Sequence, residues 1–473
     1  MDTRQFYIDG NWVDPSEARD FAVINPATEG ATATISLAGA DDVERAVGAA
    51  KKAFSGYAAT TVDQRLAWFE RLLQIYRRRA DEMTEAMSTE MGAPLTFTRD
   101  VQTPCGDGHI EVMLEALRDF RFEGRSPRGA SRIVHEPVGV AALITPWNWP
   151  INQVVVKVLP ALAAGCTCVL KPSEESPLSA LLFAEMIDEA GFPPGAFNLI
   201  NGDGPVAGAG LSSHEDVDMV SFTGSTRAGI AVAKAAAGTV KRVTLELGGK
   251  SPNLLFADAD LQKAVEWSVA ACFSNSGQTC DAPTRLLVER TVYEEAKEIA
   301  GRAARATRVG DPAREGDHIG PVVNARQFEN IQRLIQCGID EGAMLLAGGV
   351  GRPEGLDLGY YVKPTVFADV ANDTTVNKEE IFGPVLCMMP FDSEEEAIRL
   401  GNDTRYGLGA YVQTTDPDRA DRVARRLRAG NVSINGEAYD YDAPFGGVKQ
   451  SGNGRENGVY GLEDYLDLKT ITG

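Results

Sequence analysis

The chain has 473 residues, of which 44% are hydrophobic and 24% charged, and 46 basic against 67 acidic side chains give a formal net charge of -21. A typical domain has roughly 100–200 residues, so this length excludes a single small module and predicts two or three structural units. The strong negative charge opposes binding to nucleic-acid phosphates and anionic lipids, so we expect neither nucleic acid nor a membrane as a partner.

The N-terminal part of the chain reads as a small hairpin followed by helices. Residues 6–13 alternate around an Asp-Gly-Asn turn, which is typical of a hairpin. Residues 41–55 and 62–91 carry apolar side chains at three- and four-residue spacing among charges. This spacing predicts amphipathic helices that pack on the outside of a sheet.

From residue 138 the pattern changes to short apolar runs, each followed by a helical stretch. The runs are residues 140–144, 167–170, 197–200 and 219–222. Repeated strand-helix units of this kind predict a parallel sheet, as in nucleotide-binding folds.

A second series of strands and helices begins after residue 249 and predicts a second α/β domain. Its strands are expected at residues 253–256, 285–288, 362–367 and 385–390, and one of its helices at 292–308. The tail, residues 465–471, alternates as a strand without a local partner, and such an edge invites pairing with another subunit.

The hydropathy of the chain and the positions of its cysteines and histidines bear on its compartment and on whether it binds a metal ion. The N-terminus lacks a basic segment followed by an apolar stretch, and prolines interrupt the most apolar region, residues 138–170. The seven cysteines are scattered and odd in number, which favours reduced thiols over a disulfide framework. The four histidines have no zinc-ligand spacing. We therefore expect a cytoplasmic protein without a metal site.

Residues 217–229 read as a strand, a glycine turn at Gly224-Ser225 and a helix. Such a helix N-terminus offers free N–H groups and the positive end of the helix dipole to a pyrophosphate. A plain strand-helix turn explains the segment equally well. The spacing is not the GxGxxG dinucleotide fingerprint.

Three further residues have side chains suited to chemistry. Cys280 lies in a polar, glycine-containing segment that suits an accessible thiol, although most cysteines are inert. Glu246 ends an apolar strand, where a carboxylate in a cleft could act as a general base; a solvated strand-end glutamate is the alternative. Asn148 stands between two prolines and could donate to an oxyanion, or simply belong to a turn with aromatic packing.

Taken together and in order, the motifs of this chain resemble the aldehyde dehydrogenase superfamily. The motifs are Pro146-Trp147-Asn148, Lys171-Pro172-Ser173-Glu174, Phe222-Thr223-Gly224-Ser225-Thr226, Glu246-Leu247-Gly248-Gly249-Lys250, Gly277-Gln278-Thr279-Cys280 and Glu380-Ile381-Phe382-Gly383-Pro384. The resemblance implies an α/β fold with a Rossmann-like NAD-binding domain, a second α/β catalytic domain and a β-arm for oligomerisation. The boundaries it implies are 1–119 and 138–247 for the first domain, 248–450 for the second, and 120–137 and 451–473 for the arm and C-terminal tail.

The resemblance also implies NAD(P)+-dependent oxidation of an aldehyde to a carboxylic acid. Cys280 would attack the carbonyl carbon, and Asn148 with the Cys280 backbone N–H would hold the oxyanion. Hydride transfer would leave a thioester, and Glu246 would activate the water that hydrolyses it. Lys157 and Glu456 match family positions linked to proton movement. One branch of this family forms acyl-CoA instead of the free acid and lacks the glutamate base. The presence of Glu246 therefore favours hydrolysis of the thioester.

By the same resemblance, one set of residues holds the cofactor. These are Lys171 and Glu174 at the adenosine ribose, Gly224 and Ser225 at the pyrophosphate, Glu380 at the nicotinamide ribose, Phe382 beside it and Trp147 in the same cleft. The Glu174 carboxylate accepts ribose hydroxyls and repels a 2'-phosphate, so we predict NAD+ in preference to NADP+, whose use stays possible.

The substrate, an aldehyde, would meet a mixed lining of apolar and polar side chains. The positions implied are Trp149, Gln153, Val156, Asp281 and Phe445. None is an arginine, which disfavours a terminal carboxylate and favours aromatic, medium-chain or hydroxylated aldehydes. Family members pair through segments that match residues 120–137 and 461–471, which implies a homodimer or homotetramer.

Two other functions compete with this interpretation. A thiol-dependent acyl hydrolase or esterase would also use Cys280, but it needs no dinucleotide and leaves the cofactor residues without a role. A binding protein without activity would have the same fold, yet every catalytic position is intact.

Overall fold

The computed structural model describes residues 2–473 and contains twenty strands and sixteen α-helices in that range. The strands are β1 (Phe6–Ile8), β2 (Asn11–Val13), β3 (Asp20–Asn25), β4 (Gly30–Ser36), β5 (Glu123–Arg125), β6 (Arg132–Pro137), β7 (Val140–Ile144), β8 (Thr167–Lys171), β9 (Phe197–Leu199), β10 (Met219–Thr223), β11 (Arg242–Glu246), β12 (Pro252–Leu255), β13 (Arg285–Glu289), β14 (Met344–Ala347), β15 (Thr365–Ala368), β16 (Val385–Phe391), β17 (Gly409–Gln413), β18 (Asn431–Ile434), β19 (Gly452–Asn453) and β20 (Leu466–Ile471). The helices are α1 (Ala40–Ala58), α2 (Val62–Arg78), α3 (Ala80–Met91), α4 (Leu95–Phe97), α5 (Thr103–Asp119), α6 (Pro150–Ala164), α7 (Leu178–Ala190), α8 (Ala209–Ser213), α9 (Thr226–Ala236), α10 (Leu261–Phe273), α11 (Arg290–Ala306), α12 (Ala325–Asp340), α13 (Thr375–Lys378), α14 (Glu394–Asn402), α15 (Pro417–Ala424) and α16 (Gly458–Asp464).

The first sheet has eight strands in the order β19-β11-β10-β7-β8-β9-β1-β2. Its five central strands are parallel, while β19 and the β1-β2 hairpin add antiparallel edges. Alternate residues of β7 enter two different cores: Leu143 packs with α6 and α7, and Ala142 packs with α1. Helices on both faces explain why the central strands are continuously apolar. The predicted α/β class is confirmed.

The second sheet has seven strands in the order β14-β15-β16-β13-β12-β17-β18 and is parallel except for β14. The strand predicted at residues 362–367 begins only at Thr365. Pro364 has no N–H to donate to a ladder, so the chain before it stays outside the sheet. The antiparallel strand β14 was not predicted.

The helical region at residues 62–91 is divided at Arg79, where α2 ends and α3 begins. Arg79 has φ -106° and ψ 17°, outside the helical region, while its N–H still bonds the carbonyls of Ile75 and Tyr76. Its guanidinium is held by Glu82 and Glu185 at 2.8 Å each. Neither glycine nor proline marks this break in the sequence.

A third sheet, β5-β6-β20, forms an arm beside the first domain. Strand β20 pairs antiparallel with β6 over six residues, from Leu466 opposite Pro137 to Ile471 opposite Arg132. The tail therefore has no local partner, as expected, but it does pair within its own chain, because α16 turns it back onto a segment more than three hundred residues earlier. Within residues 2–473 the outer edge of β20 pairs with no strand, and Leu468 on it is 70% exposed.

Within the described range, every helix is too short or too polar to cross a bilayer.

Candidate active site

A cleft of about 760 Å³ is lined by the ends of β10 and β11 in the first sheet, by the loops that follow strands of this sheet, and by α12 and loops that connect elements around the second sheet. This volume lies within the range of ordinary small-molecule and cofactor sites. The residues predicted for the site that line it are Trp147, Asn148, Gln153, Glu174, Gly224, Ser225, Glu246, Cys280, Glu380 and Phe382. Lys157, Lys171, Trp149, Val156, Asp281, Phe445 and Glu456 lie outside this lining in the structure.

Cys280 is presented to the cleft by a tight loop. The loop begins with a 3-10 turn, Ser274–Gly277, in which Gly277 has φ +74°. A Cβ at Gly277 would lie 2.0 Å from the carbonyl carbon of Gly383, so glycine is needed here. The side-chain oxygen of Gln278 accepts from the backbone N–H of Val323 at 2.9 Å. These contacts hold the loop rigidly beneath the half-buried thiol.

Asn148 is held against the same loop. Its Nδ2 donates to the backbone oxygen of Gln278 at 3.0 Å, and Asn275 donates to the Asn148 backbone oxygen at 2.7 Å. The neighbouring Trp149 indole N–H donates to Thr279 Oγ1 at 3.1 Å. The amide keeps a second N–H hydrogen, and both Asn148 and Cys280 line the cleft. This arrangement suits an oxyanion donor beside a nucleophilic thiol.

Burial raises the pKa of the Cys280 thiol well above its usual value, and the nearby carboxylates raise it further, with Asp281 contributing most among them. These influences favour the neutral thiol over the thiolate. A nucleophilic attack must be accompanied by loss of the thiol proton. In the part of the chain that the structure describes, all seven cysteines are free thiols.

Replacing Asp281 with asparagine is expected to lower the pKa of Cys280, because the adjacent negative charge is removed. Alkylation of Cys280 by iodoacetamide at neutral pH should accelerate several-fold, since the thiolate is the reacting form. The pH dependence of the alkylation rate measures this shift. Asp340→Asn, an exposed carboxylate on α12, serves as the control. An unchanged or slower alkylation rate in Asp281→Asn would show that the Asp281 charge does not raise the pKa of Cys280.

Glu246 ends β11 and is only 5% exposed, so it is not a solvated strand-end residue. Neither carboxylate oxygen has a hydrogen-bond partner among residues 2–473. Burial, followed by the charge of Glu456, raises the pKa of Glu246 well above its usual range. A carboxylate in such surroundings binds a proton readily, as a general base must.

Lys157 and Glu456 form an ion pair whose charges act on Glu246. Lys157 Nζ lies 2.6 Å from Glu456 Oε1 and 3.1 Å from Ser221 Oγ, and the lysine is 1% exposed. Among the smaller influences on Glu246, the Lys157 charge lowers its pKa. The pair thus influences the charge state of Glu246, although neither residue lines the cleft.

The N-terminus of α9 faces the cleft through Gly224 and Ser225. Ser225 is the N-cap of this eleven-residue helix, and its Oγ accepts from the Ala228 N–H at 3.3 Å. The other N–H groups of the first turn and the positive helix end face the same direction. Within residues 2–473, the neighbouring Thr223 hydroxyl is buried without a hydrogen-bond partner. The arrangement suits a bound pyrophosphate.

Glu380 and Phe382 line another part of the cleft. Glu380 Oε1 accepts from the Gly249 N–H at 3.0 Å, and burial raises the pKa of Glu380 to about 7. A Cβ at Gly248 would lie 2.0 Å from Glu380 Oε2, so this close approach requires glycine. The rings of Trp147 and Phe382 meet edge to face at 5.4 Å.

Lys171 and Glu174 differ in their access to the cleft. Lys171 is buried, and its ammonium donates to the backbone oxygens of Pro172 at 2.8 Å and Gly202 at 2.7 Å. Its Nζ lies 3.8 Å from Glu174 Oε2. Glu174 is partly exposed and lines the cleft. In the structure the Glu174 carboxylate therefore lines the cleft, whereas the Lys171 ammonium does not.

Of the residues predicted for the substrate, Gln153 lines the cleft directly. Its Oε1 is buried and has no partner in the described range of residues. Trp149 packs edge to face on Phe97 at 5.7 Å. Asp281 follows Cys280, and its backbone oxygen accepts from the Tyr411 hydroxyl at 3.0 Å.

The remaining two, Val156 and Phe445, lie in packed surroundings. Val156 is buried in α6. Phe445 contacts the ring of Tyr439 at 6.2 Å, and its backbone pairs with that of Glu456. The segment 437–442 packs through Tyr441 on His109, with ring centroids 4.8 Å apart.

One wall of the cleft was missed by sequence reasoning. It is the polar face at the start of α12, with Asn324, Arg326, Gln327, Glu329, Asn330 and Arg333. Gln327 Nε2 donates to the backbone oxygens of Ile381 and Phe382 at 3.1 and 2.9 Å, which holds the Phe382 loop. In sequence this face looks like any solvated side of an amphipathic helix, so no local signal marks it.

Residues 2–473 contain no cluster of three or more histidine, cysteine or acidic side chains able to hold a metal ion.

Comparison with known proteins identifies the family. The model of the aldehyde dehydrogenase family matches residues 12–471. A Pseudomonas sp. protein named 3-succinoylsemialdehyde-pyridine dehydrogenase is 51% identical over 473 residues, covering 100% of this chain and 99% of the relative.

Two solved structures resemble this chain to about the same degree as the Pseudomonas relative. An aldehyde dehydrogenase from Bartonella henselae is 50% identical with a TM-score of 0.98, covering 99% of each chain. A cysteine-to-alanine mutant of aldehyde dehydrogenase C from Pseudomonas syringae, solved with NAD+ and octanal, is 49% identical with a TM-score of 0.98, covering 99% of this chain and 96% of that one. The chain described here belongs to the aldehyde dehydrogenase family.

Proposed function

We propose that this protein oxidises an aldehyde to the carboxylic acid with NAD+, using Cys280 as the nucleophile. The observation that carries the proposal is a shared cleft. A half-buried thiol, a pinned amide donor and a buried, unpaired carboxylate line the same cleft as the N-terminus of α9.

The residues present fit a dinucleotide. Ser225 and the first turn of α9 would bind the pyrophosphate, Glu174 the adenosine ribose, and Glu380 the nicotinamide ribose. The Thr223 hydroxyl, which has no hydrogen-bond partner within residues 2–473, supplies a further polar atom to the lining of the cleft. When bound, NAD+ supplies the acceptor for the hydride that leaves the substrate carbon.

The chain's own side chains account for the other steps. Cys280 Sγ gives up its proton to solvent and bonds to the aldehyde carbon, while the carbonyl π electrons move to oxygen. Asn148 Nδ2 and the Cys280 backbone N–H donate to that oxygen as its negative charge develops. Loss of hydride converts the thiohemiacetal to a thioester on Cys280.

Hydrolysis then releases the product. Glu246 accepts a proton from water as the water oxygen bonds to the thioester carbon. The carbon-sulfur bond breaks, the acid leaves, and Cys280 regains its proton. The Glu456 carboxylate, which is paired with Lys157, would accept the proton from Glu246 next.

For the substrate we propose aromatic, medium-chain or hydroxylated aldehydes. Of the five side chains predicted for the substrate, Gln153 is the one that lines the cleft, and its amide oxygen lacks a partner within the described residues. The relatives agree, since one is named for a pyridine semialdehyde and another was solved with octanal. NADH formation across an aldehyde panel tests both reaction and substrate. A kcat/KM for succinate semialdehyde far above those for octanal and benzaldehyde would reject this class.

Glu174→Gln is expected to raise kcat/KM for NADP+ about tenfold relative to NAD+, because the carboxylate no longer repels a 2'-phosphate. The ratio of the two kcat/KM values measures the effect. Glu354→Gln, an exposed carboxylate outside the cleft, is the matched control. A ratio unchanged by Glu174→Gln would show that this side chain does not select the cofactor.

We also propose a homodimer or homotetramer in the cytoplasm. The support is the outer edge of β20, which pairs with no strand among residues 2–473, and the seven free thiols. Truncation after Asp464 removes β20 and is expected to lower the mass measured by light scattering to a smaller assembly. The full-length mass retained by the truncated chain would exclude the tail as an interface.

A further inference from the structure

Ser221 is a buried hydroxyl that the steps above leave without a role. It lies in the middle of β10, between β7 and β11, and is 3% exposed. Met219, two residues earlier on the same face, belongs to the core formed with α6 and Tyr465. A serine on this apolar face therefore needs a polar partner.

The partner is Lys157. Its Nζ donates to Ser221 Oγ at 3.1 Å and to Glu456 Oε1 at 2.6 Å. A buried ammonium is stable only when acceptors replace its lost hydration. Glu456 supplies the charge from the segment between β19 and α16, and Ser221 supplies a neutral acceptor from a central strand of the sheet.

We propose that Ser221 is a positioning residue for thioester hydrolysis, because its hydroxyl holds the Lys157 ammonium against Glu456 and within range of Glu246. The inference rests on the proposed function of Glu246 as the base. It adds a residue outside the cleft that acts only through Lys157.

The direction of the effect follows from the charges that face Glu246. These are Glu456, Lys157, Arg455 and Asp464, with the Cys280 thiol in the same cleft. Ser221 itself neighbours Tyr465, whose pKa burial raises. The Lys157 charge lowers the pKa of Glu246, so displacement of the ammonium leaves that pKa still higher. Glu246 then ionises only at higher pH.

The test is the decay of the acyl group on Cys280, followed by mass spectrometry at several pH values after one turnover with NAD+ and octanal. In Ser221→Ala the decay is expected to slow about tenfold at neutral pH, and its rise with pH to move to higher pH. Ser221→Thr keeps the hydroxyl and is expected to restore the wild-type pattern. Ser212→Ala, which removes a buried hydroxyl bonded only to the Gly208 backbone oxygen among the described residues, is expected to have no effect.

An unchanged rate and pH dependence in Ser221→Ala would overturn the inference, as would slow decay in Ser221→Thr. If Ser221→Ala does not fold, the same measurement is made on Ser221→Cys. The cysteine thiol is similar in volume to the serine hydroxyl but is a poorer hydrogen-bond acceptor, so slow decay is expected. Decay at the wild-type rate in Ser221→Cys would overturn the inference. Failure of the wild-type enzyme to acylate at all would instead reject the proposed function.

Discussion

Cys280→Ala is expected to abolish aldehyde-dependent NADH formation, with a loss of at least about 10⁴-fold in kcat. The substitution removes the only atom that can bond covalently to the substrate carbon in this mechanism, so neither thiohemiacetal nor thioester forms. NAD+ binding should persist, because Ser225, Glu174 and Glu380 are untouched. NADH absorbance and NAD+ binding measured on the same preparation separate the two effects.

The matched control is Cys337→Ala on α12, a half-buried cysteine that does not line the cleft. It should keep wild-type turnover. Residual turnover of a few per cent in Cys280→Ala, with NAD+ binding intact, would exclude Cys280 as the nucleophile.

Glu246→Gln is expected to separate oxidation from hydrolysis. The amide has the same shape but cannot accept a proton, so thioester hydrolysis should slow by about 10²–10⁴-fold. The first turnover should still yield about one NADH for each active site, seen as a burst in rapid mixing. Steady-state turnover after the burst should nearly stop.

The pH dependence provides a second signature of this variant. Because the pKa of Glu246 is raised, the residue is protonated and inactive as a base at low pH. Wild-type thioester hydrolysis should therefore rise with pH as Glu246 loses its proton, and Glu246→Gln should lose this rise. Glu379→Gln, a more exposed carboxylate one residue before Glu380, should keep it. A burst followed by wild-type turnover in Glu246→Gln would assign the base to another group.

The fold could be predicted from the sequence where the spacing of apolar residues distinguishes buried strands from the helices between them. Strands β7, β8 and β10 are buried on both faces, which gives continuous apolar runs that stand out from the amphipathic helices between them. Boundaries were less predictable, as at Arg79, where a helix breaks without glycine or proline. The pairing of β20 with β6 depends on contacts between distant segments, which periodicity does not encode.

The candidate site could be predicted where a residue stands in a recognisable motif. Asn148, Glu246 and Cys280 do so, and the structure brings them to one cleft, while their chemical roles stay predictions. Gln327 and Ser221 could not be found in this way. Gln327 lies on an ordinary polar helix face, and Ser221 differs from its apolar strand neighbours by a single hydroxyl.

The esterase and binding-protein alternatives receive no support from the comparisons, in which the family model and the relatives described above are aldehyde dehydrogenases. A thiol hydrolase would also leave the α9 N-terminus and Glu380 without a ligand. The acyl-enzyme on Cys280 is common to hydrolase and dehydrogenase, whereas the need for NAD+ is not.

The most direct test is therefore the mass of Glu246→Gln protein after incubation with octanal, with and without NAD+. We predict that one acyl group appears on the peptide containing Cys280, that it requires both octanal and NAD+, and that its amount equals the NADH released. NADH release without acylation of Cys280, or acylation elsewhere, would contradict the account.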